Sequence, residues 1–213
     1  MNGSQNAPIS NLKVTRWLMS FLALVVLSAQ ALADPDRLAK AIASAESGKI
    51  EALREQSTGI VPELIHELKR RADQGQDPND PWRSRRLQKS LAALGDAASR
   101  TAIQAKLQST SLYEMSYAFR DATEVGGNDM IRAIAERLND PTEGGRPRGP
   151  SGEIDTDVGI AAPRHHAVVA LSTLITDETA PRIDLQRITY EEHQVEKWKA
   201  WWAANKSRYQ SSR

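Results

Sequence analysis

Residues 87–107 read LQKSLAALGDAASRTAIQAKL, and this stretch decides the fold because it holds two helical segments joined at Gly95. One face of the first segment carries Leu87, Leu91 and Leu94, at the three- and four-residue spacing of a helix. A displacement of 31 residues brings similar residues back: Leu94 falls on Val125, Gly95 on Gly126, Ala102 on Ala133, Ile103 on Ile134, Lys106 on Arg137, and Leu107 on Leu138. Such a period is typical of stacked helix pairs.

A third copy of the unit is indicated further along the chain. A displacement of 80 residues places Leu91 on Leu171, Leu94 on Leu174, and Ile103 on Ile183. The extra distance is explained by an insertion at 140–163, which is rich in Gly and Pro and poor in apolar residues. The sequence therefore predicts three helix pairs, with a loop inserted before the third pair. Each pair needs its neighbours in order to bury its apolar face.

The rest of the chain after residue 33 also favours helices. Ala, Leu, Glu, Lys, Arg and Gln dominate it, and alternating runs of Val, Ile and Thr are missing. We predict an all-α fold in the form of a short α-solenoid. Residues 34–76 are expected to form an N-terminal helical cap, and residues 82–213 to form the repeat region with its inserted loop 140–163. The alternative is a plain helical bundle.

Two segments carry a resemblance to a known family. LAALGD at 91–96 and RHHAVVAL at 164–171 resemble bacterial HEAT-like repeats of the PBS-lyase type, in which an A-x-x-A-L-x-x-L-G-D helix end leads into the second helix. VEKWKAWW at 195–202 is similar to the W-x-x-W-W close of exported bacterial HEAT-repeat proteins. The resemblance covers about residues 82–210 and implies packing, with no catalytic residues and no cofactor. The chain departs from the family at Ile175, which replaces a Gly, and in the inserted loop.

The C-terminal helix is predicted to close the stack with aromatic side chains. At about 100° per residue, Val195, Trp198 and Trp202 share one stripe, while Trp201 lies off its centre. The stripe is expected to pack on the last helix pair as a cap. Trp201 is then the best candidate for an exposed aromatic contact with a ligand or partner.

The first 33 residues have the three parts of a secretory signal peptide. Lys13 and Arg16 precede an apolar run, and Ala31-Leu32-Ala33 offers small residues at a cleavage site. The run is shorter than the roughly 20 residues that a membrane-spanning helix needs. We expect cleavage after Ala33, a periplasmic or secreted protein, and no transmembrane segment in the mature chain. The alternative is a protein anchored in the membrane by an uncleaved leader.

The charge balance and the cysteine count of the chain limit the classes of partner and anchor that are expected. The 28 basic residues lose Lys13 and Arg16 with the leader, which leaves 26 basic against 27 acidic residues. Nucleic-acid-binding proteins normally carry a clear basic excess, so no nucleic acid is expected as a partner. The chain has no cysteine, which excludes disulfides and a cysteine-linked lipid anchor.

Two groups of residues are candidates for a binding face. With the leucines of 87–94 inward, Arg85 and Lys89 fall on the opposite side of the helix and Arg86 to one side. They indicate either a solvated helix face or a patch for an acidic partner or an anionic membrane surface. Tyr113 and Tyr117 lie one turn apart beside a stripe of apolar residues, which suits half-buried side chains at a contact surface.

Metal-ligating residues are sparse. Asp155 and Asp157 alternate with other residues in the inserted loop, as the early ligands of a calcium loop do, but the required continuation is missing. His165 and His166 are adjacent, so on a helix their side chains diverge by about 100°. A metal site built from these four residues would make the chain a metal-dependent ligand-binding protein or a hydrolase.

The leading hypothesis is a non-catalytic exported module that binds another protein. Helix-pair solenoids offer a concave surface for this purpose, and insertions between repeats often lie on the binding face. We therefore expect an envelope or extracellular protein as partner, held by the concave helix face and the 140–163 loop. The expected contact residues are Arg85, Arg86, Tyr113, Tyr117 and Trp201.

Overall fold

The computed structural model describes residues 34–75, 77–145, 160–185 and 190–210. Within these ranges the chain forms nine α-helices and no strand, which confirms the all-α prediction. The helices are α1 (Pro35–Ser47), α2 (Ile50–Ser57), α3 (Val61–Ala72), α4 (Arg83–Ala93), α5 (Ala97–Leu107), α6 (Leu112–Val125), α7 (Asn128–Glu136), α8 (Pro163–Leu174) and α9 (Glu192–Asn205). Short 3-10 turns follow α7 (Arg137–Asn139) and α9 (Lys206–Tyr209). The predicted leader, residues 1–33, lies outside the described residues.

Helices α1–α3 occupy the range predicted for the N-terminal cap. Asp34 begins α1, where its side chain accepts a hydrogen bond from the amide of Asp36 (3.1 Å). Pro35 sits in the first turn, where a missing amide leaves no hydrogen bond unmade. The buried side chains of this unit form one apolar core: Ala41, Ile42, Ala45, Ile50, Leu53, Ile60, Leu64 and Leu68, with Leu87 and Leu91 of α4.

The 31-residue displacement relates two consecutive helix pairs, α4–α5 and α6–α7. Gly95 and Gly126 lie at the end of the first helix of each pair, with φ of +94° and +65°, where a side chain would be strained. Equivalent positions are buried in both pairs: Ile103 and Leu107 of α5 in the first, and Ile134 of α7 with Leu138 of the following 3-10 turn in the second. The repeated sequence therefore gives a repeated turn and a repeated buried face.

The pairs pack on one another in order. Helix α4 contacts α6, α6 contacts α8, and α5 contacts α7, which is the pattern of contacts that stacked pairs require. Helix α4 also contacts α1 and α3. It contributes Leu91 to the N-terminal core and Ala92 to a second, larger core built from α4–α9. The solenoid and its HEAT-like character stay predictions.

The expected second helix of the third pair, around Ile183, is not present. Residues 175–185 are irregular, and Ile183 packs against the larger core from this segment. Pro181 has no amide to donate within a helix. Thr179 forms a local turn with Asp177, whose side chain accepts hydrogen bonds from the amide (2.8 Å) and hydroxyl (2.6 Å) of Thr179. Helix α8 packs against α9 instead.

The predicted orientation of the C-terminal helix is wrong for its last two tryptophans. Trp198 is fully buried as expected, but Trp201 is only 9% exposed and Trp202 is half-buried. Trp201 packs edge-on against Trp198 (5.5 Å between ring centroids) and donates its indole N–H to Thr179 Oγ1 (3.1 Å). The irregular segment 175–180 supplies this contact, and the spacing within one helix could not indicate it.

Candidate interaction surface

Three aromatic side chains form a cluster at the surface between α4 and α6. Trp82 precedes α4, while Tyr113 and Tyr117 lie one turn apart on α6. The Trp82 and Tyr117 ring centroids are 5.3 Å apart, and those of Tyr113 and Tyr117 are 4.8 Å apart in an edge-on arrangement. Trp82 and Tyr113 remain 45% and 47% exposed. We call these three residues the aromatic cluster. Its rings are partly exposed to solvent, whereas most large apolar side chains of the described residues are buried in a core.

Arg85 fixes the aromatic cluster to the fold. Its guanidinium donates two hydrogen bonds to the carboxylate of Asp121 on α6 (2.7 and 2.8 Å) and a third to the carbonyl of Tyr117 (3.1 Å). The guanidinium carbon lies 4.3 Å from the Tyr117 ring centroid and 5.7 Å from that of Trp82. Asp121 is 5% exposed, so it requires this bidentate partner. A partly buried ion pair thereby holds the Trp82 and Tyr117 rings in place.

The two tyrosine hydroxyls also meet at the surface. Tyr113 OH donates to Tyr117 OH over 3.3 Å. This hydrogen bond raises the pKa of Tyr113, and partial burial raises it further. The Tyr113 phenol therefore stays neutral at any physiological pH. The two hydroxyl groups offer polar groups beside exposed ring faces. Side chains of this kind, apolar with a polar end, are enriched where proteins bind one another.

A cavity of about 260 Å³ opens on one side of Trp82. Its walls come from the end of α1 and from the facing sides of α4 and α6. Four basic side chains line it, Arg85, Arg86, Lys89 and Arg120, against two acidic ones, Asp121 and Glu124. We call it the basic cavity. On the other side of Trp82, a groove of about 540 Å³ runs towards α5, where Lys106 adds another cation.

Arg86 is held in the basic cavity by the end of α1. It donates to the main-chain carbonyl of Glu46 and to the carboxylate of Asp80. A Cβ at Gly48, the residue that ends α1, would lie only 3.1 Å from Arg86 Cδ. The glycine therefore lets the arginine side chain run along the turn, where a cation also interacts favourably with the carbonyl end of the helix.

Lys89 was expected on the outer face of α4, and this expectation is wrong. Lys89 is 9% exposed, because α1 and α6 pack on either side of the face opposite Leu87 and Leu91. Its ammonium group pairs with the carboxylate of Glu124 on α6. The period of one helix identifies its apolar stripe, but it does not reveal how many neighbours cover the rest of the helix.

The structure brings four of the five predicted contact residues to one place. Arg85 and Tyr113 each contact Tyr117, and Arg86 lines the adjacent cavity. Trp201 does not join them, because it is buried against Trp198 in the larger core. Its assignment as an exposed contact residue is therefore corrected.

Sequence reasoning did not single out Trp82, Asp121 or Glu124. Trp82 ends a segment rich in Asp and Pro, and a lone tryptophan in such a polar turn was a usable signal. Asp121 and Glu124 look like ordinary polar residues of an amphipathic helix. Only the packing of α4 on α6 shows that each faces a basic residue 36 or 35 positions earlier.

The predicted metal ligands are not brought together within the described residues. Asp155 and Asp157 lie outside those residues. His165 Nε2 is 3.3 Å from Glu192 Oε1 without hydrogen-bond geometry, whereas His166 stacks on Phe119 at 5.5 Å. Across 34–75, 77–145, 160–185 and 190–210 there is no group of three or more His, Asp or Glu side chains that could hold a metal ion.

The two ends of the inserted loop meet close to the aromatic cluster. The amides and carbonyls of Gly145 and Ile160 exchange hydrogen bonds of 2.9 and 2.7 Å. A Cβ at Gly145 would lie 3.3 Å from Leu112 Cδ1, and Leu112 precedes Tyr113 at the start of α6. Arg164, in the first turn of α8, connects the first end of the loop to α9, because it pairs with both Glu143 and Glu192. Residues 146–159 lie outside the described residues.

Comparison with known proteins does not assign a function to this surface. No protein-family profile matches the chain, and neither a curated protein nor a solved structure matches it. Functional conclusions therefore depend on the residues themselves.

Proposed function

We propose that the protein is an exported, non-catalytic module that binds another protein through the aromatic cluster and the basic cavity. The observation that carries this proposal is the exposure of Trp82 and Tyr113 on a rigid support. A protein normally buries such side chains, and here a partly buried ion pair between Arg85 and Asp121 holds the rings at the surface. Aromatic residues and arginine dominate the energetics of protein interfaces.

The shape of the surface supports an extended partner segment. Trp82 and Arg85 line both the basic cavity and the groove towards α5. The two side chains therefore form a ridge that separates these concave surfaces. A segment lying across the ridge would place an apolar side chain on the rings. Acidic side chains on either side would then face Lys106 or the cations of the basic cavity. The partner segment is therefore expected to be acidic and to contain at least one apolar residue.

The inserted loop supports the same location. Its described ends are joined between Gly145 and Ile160, and Gly145 borders Leu112, which precedes Tyr113 on α6. A partner on the aromatic cluster would thus lie next to the point where the loop leaves the helices. This agrees with the expectation that an insertion between repeats contributes to the binding face.

The proposal is tested by photo-crosslinking from Tyr113 in the envelope of the native host. A photoreactive amino acid replaces Tyr113 in one variant and Tyr190 in the control, since both side chains are about half exposed but only Tyr113 belongs to the cluster. We expect one protein to be captured from position 113 and not from position 190. The captured protein, once purified, should bind the wild-type chain and bind the Trp82→Ala variant at least tenfold more weakly.

Two results would contradict the interaction function. One is equal capture from both positions, which would indicate contact by proximity. The other is unchanged affinity of the captured protein for Trp82→Ala, which would place its binding surface elsewhere. Thermal unfolding of the Trp82→Ala variant serves as the control for folding, and we expect little change because the ring is half exposed.

A further inference from the structure

We propose, resting on the interaction function above, that the basic cavity receives a carboxylate side chain of the partner, which takes the place of Glu124 on Lys89. When no partner is bound, the Glu124 carboxylate occupies the position on Lys89 that the partner's carboxylate would take. The proposal depends on four features of the cavity: its size, the burial of Lys89, the unused donors on its walls, and the loose attachment of Glu124.

The size of the cavity suits the end of one side chain. Its volume of about 260 Å³ exceeds by several times the roughly 30 Å³ that a water molecule occupies in the liquid. A carboxylate with its methylene groups and a few waters fits this space. The cavity is too small for a helix or a folded loop, so a single inserted side chain is the appropriate scale.

Lys89 supplies a charge that needs an anion. Its side chain is 11% exposed, and a largely buried ammonium requires a charged partner. Of its three donors, one bonds to Glu124; among the described residues the ammonium has no other hydrogen-bond partner. Lys89 Nζ lies 3.6 Å from the Cβ position of Gly48, so it borders the space inside the cavity. Two donors therefore remain for an incoming oxygen.

The arginines of the cavity also hold unused donors. Arg85 and Arg86 form their hydrogen bonds through Nε and Nη2, and Arg120 bonds to Glu124 through Nε. Within the part of the chain that the structure describes, their Nη1 groups have no hydrogen-bond partner. Four cations face two carboxylates in this cavity, and Asp80 pairs with Arg86 from outside the lining, so the cations still exceed these three carboxylates by one. A carboxylate supplies two oxygen acceptors and one negative charge.

Glu124 is the carboxylate that can leave. Asp121 is buried and bound by two nitrogens of Arg85, whereas the Glu124 side chain is 32% exposed. Among the residues that the structure describes, the Glu124 carboxylate is bound by the ends of two flexible side chains, Lys89 and Arg120, and the Arg120 side chain is 71% exposed. Rotation of Glu124 into solvent would leave Lys89 without an anion, so the exchange is expected only when the partner's carboxylate takes the place of Glu124. The same cations would then bind the partner's oxygens.

The experiment uses a small probe, so that it does not require the partner. N-acetylglutamate N-methylamide is titrated into the 15N-labelled mature chain, and the Nε–H signals of Arg86 and Arg120 and the amide of Gly48 are followed by NMR. N-acetylglutamine N-methylamide is the neutral comparison, and inorganic phosphate is the second anion. We expect saturable shifts with the glutamate probe and none with the glutamine probe.

Three variants make the assignment specific. Glu124→Gln should tighten binding of the glutamate probe by roughly fivefold or more, because the internal competitor is gone. Glu136→Gln, an exposed site on α7 outside the cavity, changes the net charge equally and should leave the affinity unchanged. Lys89→Met and Arg120→Gln should each weaken binding, and the exposed position of Arg120 keeps this test valid if Lys89→Met fails to fold.

Several outcomes would overturn the proposal. If Glu124→Gln and Glu136→Gln changed the affinity for the glutamate probe equally, the effect would be due to net charge and not to the release of Lys89. Saturable shifts with phosphate but not with the glutamate probe would assign the cavity to a different anion. A captured partner that loses affinity for Trp82→Ala but not for Lys89→Met would keep the interaction function and reject the carboxylate site. Probe binding without any captured partner would keep the carboxylate site and reject the interaction function.

Discussion

At the scale of single residues, the Arg85–Asp121 pair has the greatest consequence. Asp121 points from α6 into a buried environment, and its carboxylate has both oxygens bonded to one guanidinium. Removal of one partner of such a pair leaves an uncompensated buried charge. The same guanidinium lies over the Tyr117 ring, so the pair also supports the aromatic cluster. Stability and the proposed binding surface therefore depend on one contact.

Arg85→Met should lower the free energy of unfolding by about 3 kcal/mol, because Asp121 then loses its only bidentate partner. The matched control is Arg120→Met, which removes a 71% exposed guanidinium from the adjacent helix and should cost about 0.5 kcal/mol or less. Urea denaturation of both variants measures the difference. Equal losses in the two variants would mean that Asp121 is adequately solvated without Arg85.

His166 makes stability depend on pH near neutrality. Burial, and secondarily the neighbouring His165, lowers the pKa of His166 below its ordinary value of 6.5. The unfolded chain therefore binds a proton at this position before the folded chain does, and stability falls as the pH drops through 6.5. The stacking of His166 on Phe119 is consistent with a neutral ring. Carboxylates whose pKa is lowered, such as Glu67 with a pKa of about 2, affect stability only at lower pH.

Urea denaturation at pH 7.5 and pH 5.5 should show this loss of stability in the wild-type chain. His166→Phe should have a smaller loss, because phenylalanine stacks on Phe119 without titrating. His193→Gln is the control, since its exposed ring leaves the His166 site unchanged and the loss should persist. An identical loss in wild type and His166→Phe would assign the pH dependence to other groups.

The candidate site shows which residues a sequence reveals. Tyr113 and Tyr117 could be predicted, because aromatic residues beside an apolar stripe suit a half-buried contact surface. Arg85 could be predicted only as one of several basic residues on the polar face of its helix. Asp121 and Glu124 could not, since their role depends on which arginine or lysine the neighbouring helix presents. Trp201 was misassigned for a related reason: its cover comes from residues 175–180, which are remote from α9 in sequence.

At the scale of helices, arginine side chains bind the carbonyl ends of several helices. Arg37 donates to Gln56 O near the end of α2, and Arg86 donates to Glu46 O near the end of α1. Arg100 bonds to Ala92 O (2.9 Å) and Gly126 O (2.6 Å), which connects the ends of α4 and α6. Terminal carbonyls need partners, and a cation is favoured at this end of the helix dipole.

Arg100 shows why the repeated turn is rigid. Besides the two carbonyls, its guanidinium pairs with Asp129 at the start of α7. Burial alone would raise the pKa of Asp129, but the hydrogen bonds from Arg100 lower it overall. One arginine thus connects the end of α4, the end of the equivalent helix α6 in the next pair, and the start of α7. The 31-residue period predicted the pairs, but it gave no sign of this connection.

The C-terminal helix gives a prediction about orientation. Trp201→Ala should lower the free energy of unfolding by about 3–5 kcal/mol, because it empties a buried site and leaves Thr179 without the indole N–H. Trp202→Ala should cost at least about 1 kcal/mol less, since this ring is half-buried against Tyr209. Denaturant titration of both variants decides the order. A larger loss for Trp202→Ala would restore the orientation expected from the helical stripe.

At the scale of the whole molecule, two apolar cores of unequal size share α4. The N-terminal core contains ten buried residues from α1–α4, while the core of α4–α9 contains more than twice as many. Unequal cores favour local opening of the smaller one. The aromatic cluster and the basic cavity lie along their boundary, since Gly48 belongs to the smaller unit and Glu124 to the larger. Binding across this boundary would hold the two units together.

Native-state hydrogen exchange should therefore resolve two opening free energies. Amides of Leu53 and Leu64 in the smaller core are expected to exchange through an opening of lower free energy than those of Met115 and Ile134 in the larger core. Arg54 connects the two units, because its guanidinium donates to the carbonyls of Val125 (2.6 Å) and Glu124 (3.1 Å) at the end of α6.

Arg54→Met removes this connection and should lower the opening free energy of α1–α3 by about 1 kcal/mol, the net value of a hydrogen bond. The amides of Met115 and Ile134 should keep their exchange rates, because the larger core is untouched. Arg70→Met is the control, since the partner of Arg70 among the described residues is Glu67, within α3. A single opening free energy for all four amides, lowered equally by Arg54→Met, would mean that the molecule unfolds as one unit. The boundary between the cores would then have no independent mobility for a partner to suppress.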